Sequence, residues 1–354
     1  MTGIIRPART GCYNRAMTYP RNSIRFVRYA VQIAFLLITL NAGWQFHQFV
    51  LHFEDPSQPF VQRPPSVDAY LPIGGLMAFK YFVATGGTVE PFHPSGLVLF
   101  IAICGVSLLL KKGFCGWICP IGTVSQYVWM AGEKVLGRNF RIERYTDIGL
   151  RSIKYILLSL FFWVIVVAMG STMIVLFFLS DYYKVADVKM LKFFTDMSTL
   201  SMWVLIGLGV LSALYKNFWC RYLCPYGALL GLLSRLSPLK VRRNEERCIH
   251  CHACTKHCPT LIDVENKDVV ASAECFGCMT CVSRCPSPGA LDMTVKRGRN
   301  VSVLHPTLYP VILAALFFLV VGAGVLADKW HSKIPYEEYQ RLIPRVSELE
   351  HSGR

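Results

Sequence analysis

The sequence predicts a mainly α-helical, polytopic membrane protein of about five spans, with a compact cysteine-rich domain inserted before the last span. Three observations carry this expectation. The 354-residue chain is 53% hydrophobic with a mean hydropathy of +0.39, and its apolar residues gather into stretches longer than a soluble core needs. Its 37 Lys and Arg and 22 Asp and Glu are unevenly shared between the connecting segments. Eight of its 14 cysteines fall within residues 248–285.

Residues 1–28 are basic and polar, and no cleavable signal peptide is expected, because the apolar stretch that follows is too long for one. Tyr29–Leu51 is nearly free of charge and reads as the first span. Leu71–Gly87 is apolar, carries Lys80 and two Gly-Gly pairs, and reads as a helix lying on the outer surface or covering a pocket. Ser95–Leu110 reaches full span length only by running on to about Ile118, with Lys111 and Lys112 snorkelling; otherwise it is re-entrant. Tyr155–Ser180 spans with a kink at Gly170-Ser171. Met197–Tyr215 and Leu308–Ala327 complete the set.

Charge then orients the spans. Residues 1–28 hold six arginines and no acid, residues 111–154 hold eight basic residues, and residues 220–305 hold twelve. Residues 52–94 hold two basic residues against four acids, and residues 181–196 and 328–354 are balanced. The positive-inside rule puts the basic segments in the cytoplasm and the others, including the C-terminal tail, outside. The net charge of +15 is explained by this asymmetry, so no nucleic-acid partner is expected; the partner is the bilayer.

The eight clustered cysteines form two runs, Cys248-x2-Cys251-x2-Cys254-x3-Cys258-Pro259 and Cys275-x2-Cys278-x2-Cys281-x3-Cys285-Pro286. This is the spacing of a bacterial-type ferredoxin with two [4Fe–4S] clusters, in which the fourth cysteine of each run serves the other cluster. Cys248, Cys251, Cys254 and Cys285 would hold one cluster, and Cys258, Cys275, Cys278 and Cys281 the second. Zinc favours paired Cys-x2-Cys units, and disulfides need an oxidising compartment. Such a domain moves single electrons.

A second cysteine pattern is duplicated. Phe114-Cys115-Gly116-Trp117-Ile118-Cys119-Pro120-Ile121-Gly122 and Trp219-Cys220-Arg221-Tyr222-Leu223-Cys224-Pro225-Tyr226-Gly227 both follow spans running the same way, so both motifs emerge on one face. Cys115 and Cys119 are one helical turn apart, and Pro120 starts a new helix with Cys119 at its N-terminus; the same holds for Cys220, Cys224 and Pro225. The four thiols Cys115, Cys119, Cys220 and Cys224 read as a further metal centre, as redox dithiol pairs or a soft-metal (copper) relay, or as packing thiols. His47 and His93, at the outer ends of the first two spans, are candidates for a quinone proton acceptor or a haem ligand pair, or are interfacial polar residues. His250, His252 and His257, between cluster cysteines, would tune potential or face solvent, while Cys12 and Cys104 match no motif.

Paired Cys-x3-Cys-Pro motifs after membrane spans, followed by the two ferredoxin runs, resemble the NapH/NosR/CcoG group of membrane polyferredoxins over residues 113–293. The resemblance implies electron transfer in a bacterial cytoplasmic membrane, between a quinol or membrane redox partner and a respiratory reductase or its maturation pathway, as NapH-like quinol dehydrogenase components do. It also implies two alternatives, a copper-reducing assembly factor for a respiratory oxidase of the CcoG kind and a redox sensor or scaffold without net electron flux. Neither an N-terminal flavin domain of the NosR kind nor a large C-terminal domain of the CcoG kind is expected from residues 1–354. The expected organisation is a basic N-terminus (1–28), a membrane domain with the first Cys-x3-Cys-Pro (29–219), the second motif with the ferredoxin domain (220–305), a last span (306–327) and a polar tail (328–354).

Overall fold

The computed structural model describes residues 21–88, 92–297 and 300–349. Most of the basic N-terminal segment, Cys12, and the end of the polar tail lie outside the described residues.

The chain opens with α1 (Arg21–Glu54), a 34-residue helix. A 3-10 turn at Pro65–Tyr70 leads into α2 (Pro72–Thr85), which ends on Gly86 in the left-handed conformation that glycine adopts without strain. Next come α3 (Pro94–Leu109), the short α4 (Gly113–Trp117) and α5 (Pro120–Leu136). The third apolar stretch is α6 (Arg144–Phe162), which relaxes into a π turn at Trp163–Ala168 and breaks, with α7 (Ser171–Leu179) following. After α8 (Asp181–Lys184), α9 (Ala186–Thr195) and α10 (Thr199–Leu214) meet at 80°. A π turn at Trp219–Leu223 precedes α11 (Pro225–Leu236). The ferredoxin segment holds β1 (Leu239–Arg243), α12 (Ala253–Lys256), β2 (Val269–Val270), α13 (Thr280–Arg284), β3 (Leu291–Arg297) and β4 (Asn300–Val303). The chain closes with α14 (Leu308–Leu326) and α15 (Tyr336–Leu342).

Among the described residues, three helical segments are long and apolar enough to cross a membrane by length and composition: Ser23–Glu54, Arg144–Ala168 and Leu308–Leu326; the bent pair α9–α10 makes a fourth if it counts as one. Their apolar side chains face outward: Leu37, Trp44, Ile156, Trp163, Leu200, Trp203 and Leu319 are all more than half exposed, as lipid-facing residues are.

Two expectations need correction. The second stretch does not run on as one helix to Ile118. Lys111 adopts φ 60°, which ends α3, and Ser237 seals the break: its Oγ accepts from Lys111 N at 3.0 Å and donates to Leu109 O at 2.8 Å. Nor do Lys111 and Lys112 snorkel to water, for both are buried. The Leu71–Gly87 segment, in turn, is no surface helix on its own. α2 packs on α3 so closely that a Cβ on Gly75 would sit 3.0 Å from Phe100 Cβ, and its Lys80 donates to the Ile165 and Met169 carbonyls freed where α6 breaks. The break at Gly170-Ser171 is as the sequence predicts.

The ferredoxin segment forms one antiparallel sheet in the order β2-β1-β3-β4, with Val241 opposite both Val270 and Met293. Its core is continuous with the helices: Val241, Met279 and Met293 belong to the same buried cluster as Val106, Leu110, Trp117 and Leu313. At the other end of α1, a separate cluster joins Phe46, Phe49 and Phe53 to Val67, Val188, Tyr339 and Ile343. The segments poor in basic charge thus gather at the end of α1 away from the cysteines.

Candidate metal centres

The two ferredoxin runs share one backbone design. His250 and His252 have φ 52° and 56°, and their counterparts Gly277 and Met279 have φ 60° and 53°. Each Cys-x2-Cys loop therefore turns twice through the left-handed region and bends around a central space. One cavity is lined by Cys258, Cys275, Cys278 and Cys281 with Val241, Ile262, Val270 and Met279; the other is lined by Cys248, Cys251, Cys254 and Cys285 with Ile249 and Ala290. Each cavity thus takes three thiols from one run and the fourth from the other; the rest of the first wall is mainly apolar, whereas the second also carries His252, Glu265 and Ser287. Four thiolate donors around such a cavity fit an iron–sulfur cubane. Hydrogen bonds to the sulfurs tune a cluster: the backbone Ile262 N–H donates to Cys258 Sγ at 3.4 Å, and the Thr280 hydroxyl lies 3.3 Å from Cys278 Sγ. Burial pushes the Cys275 thiol up to about 11, so loading the site must release protons.

The cavities differ in setting. Cys251 is exposed and Ile249 beside it is 64% exposed, so one cavity opens to solvent. The other lies against the membrane helices, and the duplicated motif holds it there. From the first motif, Trp117 Nε1 donates to Gly277 O at 3.2 Å, and a Cβ on Gly116 would sit 2.9 Å from Phe276 O. From the second, Asn217 Nδ2 donates to Pro259 O at 2.9 Å and Arg221 donates to Thr260 O. Both loops gripped in this way bear cysteines of the inner cavity. Gly116→Ala is expected to push the Phe276 loop away and to broaden the spectroscopic signal of the inner cluster while total iron holds, because the obstacle is backbone and cannot swing aside.

The four remaining motif cysteines meet beside this cavity. Cys119 and Cys224 occupy the N-cap positions of α5 and α11 in extended geometry, each followed by proline, as the sequence predicts. Cys224 Sγ also accepts from Gly227 N at 3.2 Å. The charges that Cys115, Cys119, Cys220 and Cys224 would carry interact with one another. Cys104 is half-buried in α3, and among the described residues no disulfide forms.

Several polar residues around these sites escaped sequence reasoning. Arg28 of α1 donates to Gly116 O at 3.1 Å and to Thr280 Oγ1 at 2.9 Å, and Gln32 donates to Gly116 O at 3.1 Å, so α1 clamps the first motif to α13. Arg221 is held by Asp147 through two hydrogen bonds of 2.9 and 2.8 Å. Lys154 of α6 donates to both Glu274 oxygens, at 2.7 and 2.8 Å. Burial raises the Glu274 carboxyl, but Lys112 and Lys154 outweigh it, and the net shift is downward. An ionisable side chain within an apolar stretch is the signal that marks Lys154, and Lys111 and Lys112.

The histidines separate. His93 is buried with both ring nitrogens engaged: Nδ1 faces Asp68 Oδ1 at 3.0 Å and Nε2 faces Tyr183 O at 3.0 Å. Arg63 pairs with Asp68 and, at 2.7 Å, with Asp187. Burial works against ionising Asp68, yet Arg63 and His93 hold it well below the usual carboxylate range; burial also opposes a charged His93, and Asp68 raises it on balance. This network ties α3 to the loops at the end of the molecule away from the cysteines, and leaves neither His93 nitrogen free for haem or quinol. His47 is half-buried, and its Nδ1 has no partner among the described residues. His250 and His252 both reach Glu265, at 3.3 and 2.5 Å.

Comparison with known proteins identifies the family. A family model described as a 4Fe-4S binding domain matches twice, over residues 92–143 and 195–244, once across each Cys-x3-Cys-Pro motif. A model described as a 4Fe-4S dicluster domain matches residues 240–286. The chain is 40% identical over 328 residues to the putative electron transport protein YccM of Escherichia coli, covering 92% of this chain and 91% of that one. It is 27% identical to the methylamine utilization ferredoxin-type protein MauN of Methylorubrum extorquens (65% of this chain, 78% of that one) and 22% identical to the ferredoxin-type protein NapH of Escherichia coli (73% and 85%). No solved structure matches. The chain belongs to the NapH/NosR-like family of membrane polyferredoxins, iron–sulfur proteins of electron transport.

Proposed function

We propose that this protein carries electrons from a quinol or another membrane redox partner, through metal held by Cys115, Cys119, Cys220 and Cys224, to two [4Fe–4S] clusters and on to a soluble or peripheral redox partner. The inner cluster takes Cys258, Cys275, Cys278 and Cys281; the outer takes Cys248, Cys251, Cys254 and Cys285. The observation that carries this reading is the grip of both repeats on the loops around the inner cavity, which supports an order of three cysteine sites from the helices to an exposed end. The chain crosses a bacterial inner membrane five times, at α1, at α3 taken together with the short α4 beyond the break at Lys111, at α6–α7, at α9–α10 and at α14. Its basic segments and ferredoxin domain face the cytoplasm, as the distribution of Lys and Arg favours. The domain limits are those expected from the sequence. His47, with an unpartnered nitrogen near the far end of α1, is the candidate proton acceptor for quinol oxidation.

The test is addition of a reduced quinol to the purified protein in detergent or nanodiscs under anaerobic conditions. Fast bleaching of the cluster absorbance and the appearance of reduced-cluster resonance signals are expected. Clusters that stay oxidised with quinol yet reduce with dithionite would overturn the quinol-linked reading.

A further inference from the structure

Arg28 of α1 is buried, and its hydrogen bonds all go to neutral groups: Gly116 O at 3.1 Å, Thr280 Oγ1 at 2.9 Å and Gln126 Oε1. Among the described residues it makes no ion pair. A guanidinium does not lose its proton in a protein, so this charge is permanent. Burying it without a counter-charge is costly, and a negatively charged group close by would offset that cost.

Thr280 links Arg28 to the inner site. Its hydroxyl lies 3.3 Å from Sγ of Cys278, one of the four thiols around the inner cavity. A hydroxyl carries one proton and two lone pairs. Because Oγ1 accepts from Arg28, its own proton is left for the sulfur. A cysteine that ligates metal is a thiolate and can only accept. With Cys278 ionised, both bonds therefore run one way: Arg28 donates to Thr280, and Thr280 donates to Cys278. Bonds coupled in this way polarise one another in a low-dielectric interior. In the other ferredoxin run the position of Thr280 is taken by Ala253, which has no hydroxyl. This chain of donors thus belongs to the inner site.

We propose that Arg28, acting through the Thr280 hydroxyl, raises the reduction potential of the inner cluster. The inference rests on the reading that Cys258, Cys275, Cys278 and Cys281 hold a [4Fe–4S] cluster, and it adds two residues that tune it. A hydrogen bond donated to a ligand sulfur, with a fixed positive charge behind it, favours the reduced form, which carries one more negative charge. Neither residue touches iron or a redox partner, so both are positioning and tuning residues. Arg28 also holds Gly116 O of the first Cys-x3-Cys-Pro motif, so one side chain of α1 joins the helix-side motif to a ligand of the inner site.

The experiment is a resonance-monitored redox titration of the full-length protein, with iron content as the control and Cys285→Ser, which spares the inner ligands, to assign its signal. Thr280→Val and Arg28→Met should each keep the iron and make the inner cluster harder to reduce, by about tenfold in the reduced-to-oxidised ratio at a given potential, which is about 59 mV for one electron. Thr280→Ser, which returns the hydroxyl, should keep the wild-type potential. The two changes together should shift it by less than the sum of their separate shifts, because both break one chain of hydrogen bonds. The outer cluster should not move. An inner potential that ignores both changes would overturn the inference and leave the cluster reading intact. Equal shifts at both clusters would mean a general loosening and would also overturn it, and fully additive shifts would overturn the route through Thr280. A wild type without an inner-cluster signal would overturn the cluster reading and the inference together. If Arg28→Met fails to assemble, Arg28→Gln carries the same titration, and Thr280→Val with Thr280→Ser still decides the bond to Cys278.

Discussion

Cys258→Ser is expected to remove the inner cluster and spare the outer one, although Cys258 belongs in sequence to the run that surrounds the outer site. Its sulfur lies in the cavity lined by Cys275, Cys278 and Cys281, where the side chain is buried among Val241, Ile262 and Met279. Serine supplies a harder, less polarizable oxygen and leaves the cubane with three thiolates. The mirror change, Cys285→Ser, should remove the outer cluster, whose cavity it shares with Cys248, Cys251 and Cys254. Each variant should lose about four iron atoms per chain. Their electron transfer should differ in kind. With Cys285→Ser the inner cluster remains next to the membrane helices, so quinol still reduces it. With Cys258→Ser the link between the helices and the outer cluster is gone, so quinol reduction of the outer cluster should fall by orders of magnitude while dithionite, acting from solvent at the exposed Cys251 end, still reduces it. Equal loss of quinol reduction in both variants would mean that electrons do not pass through the clusters in this order.

The residues that carry this order were legible in the sequence to different degrees. The grouping of thiols around each cavity matches the pattern of two-cluster ferredoxins, in which the fourth cysteine of each run joins the three of the other. The N-cap positions of Cys119 and Cys224 were also legible, because proline constrains the residue before it and starts a helix. The break of α6 was legible from Gly170-Ser171, but its cap was not, since Lys80 lies 85 residues before Ile165. The same limit hid the clamp of Arg28 and Gln32, which joins segments 84 and 88 residues apart. Lys111 and Lys112 misled for a different reason. At the end of an apolar stretch a lysine usually reaches for water. Here Lys111 takes a left-handed backbone, the helix ends early, and the ferredoxin domain covers both side chains before they reach solvent. Hydropathy describes a chain against a bilayer; it has no term for a domain of the same chain docking on the membrane boundary. His93 was picked out by its place at a span end, and the structure gives it a structural task through Asp68 and Tyr183 that no local pattern announces.

That docking makes Glu274→Gln the most damaging single change expected outside the cysteines. Lys154, fully buried on α6, holds both Glu274 oxygens, and Glu274 immediately precedes the ligand Cys275. The carboxylate also faces Lys112. Removing it leaves ammonium groups buried without compensation, at a cost of about 3–5 kcal/mol, and loosens the ferredoxin domain from α6. Lys154→Met should be milder, because Glu274 keeps Lys112 as its partner and methionine fills the volume of the lysine stem. An equal cost for the two would mean that the carboxylate serves Lys154 alone. The pH dependence gives an independent check. The folded Glu274 carboxyl lies below its ordinary value, so its contribution is fully present above about pH 4.3 and is lost as pH falls through the folded value. The difference in melting temperature between wild type and Glu274→Gln should therefore be full at about pH 6, where the carboxylate is ionised in folded and unfolded chains alike, and should narrow in acid. A difference that persisted unchanged through acid pH would remove the Glu274 carboxylate as the anchor of the domain.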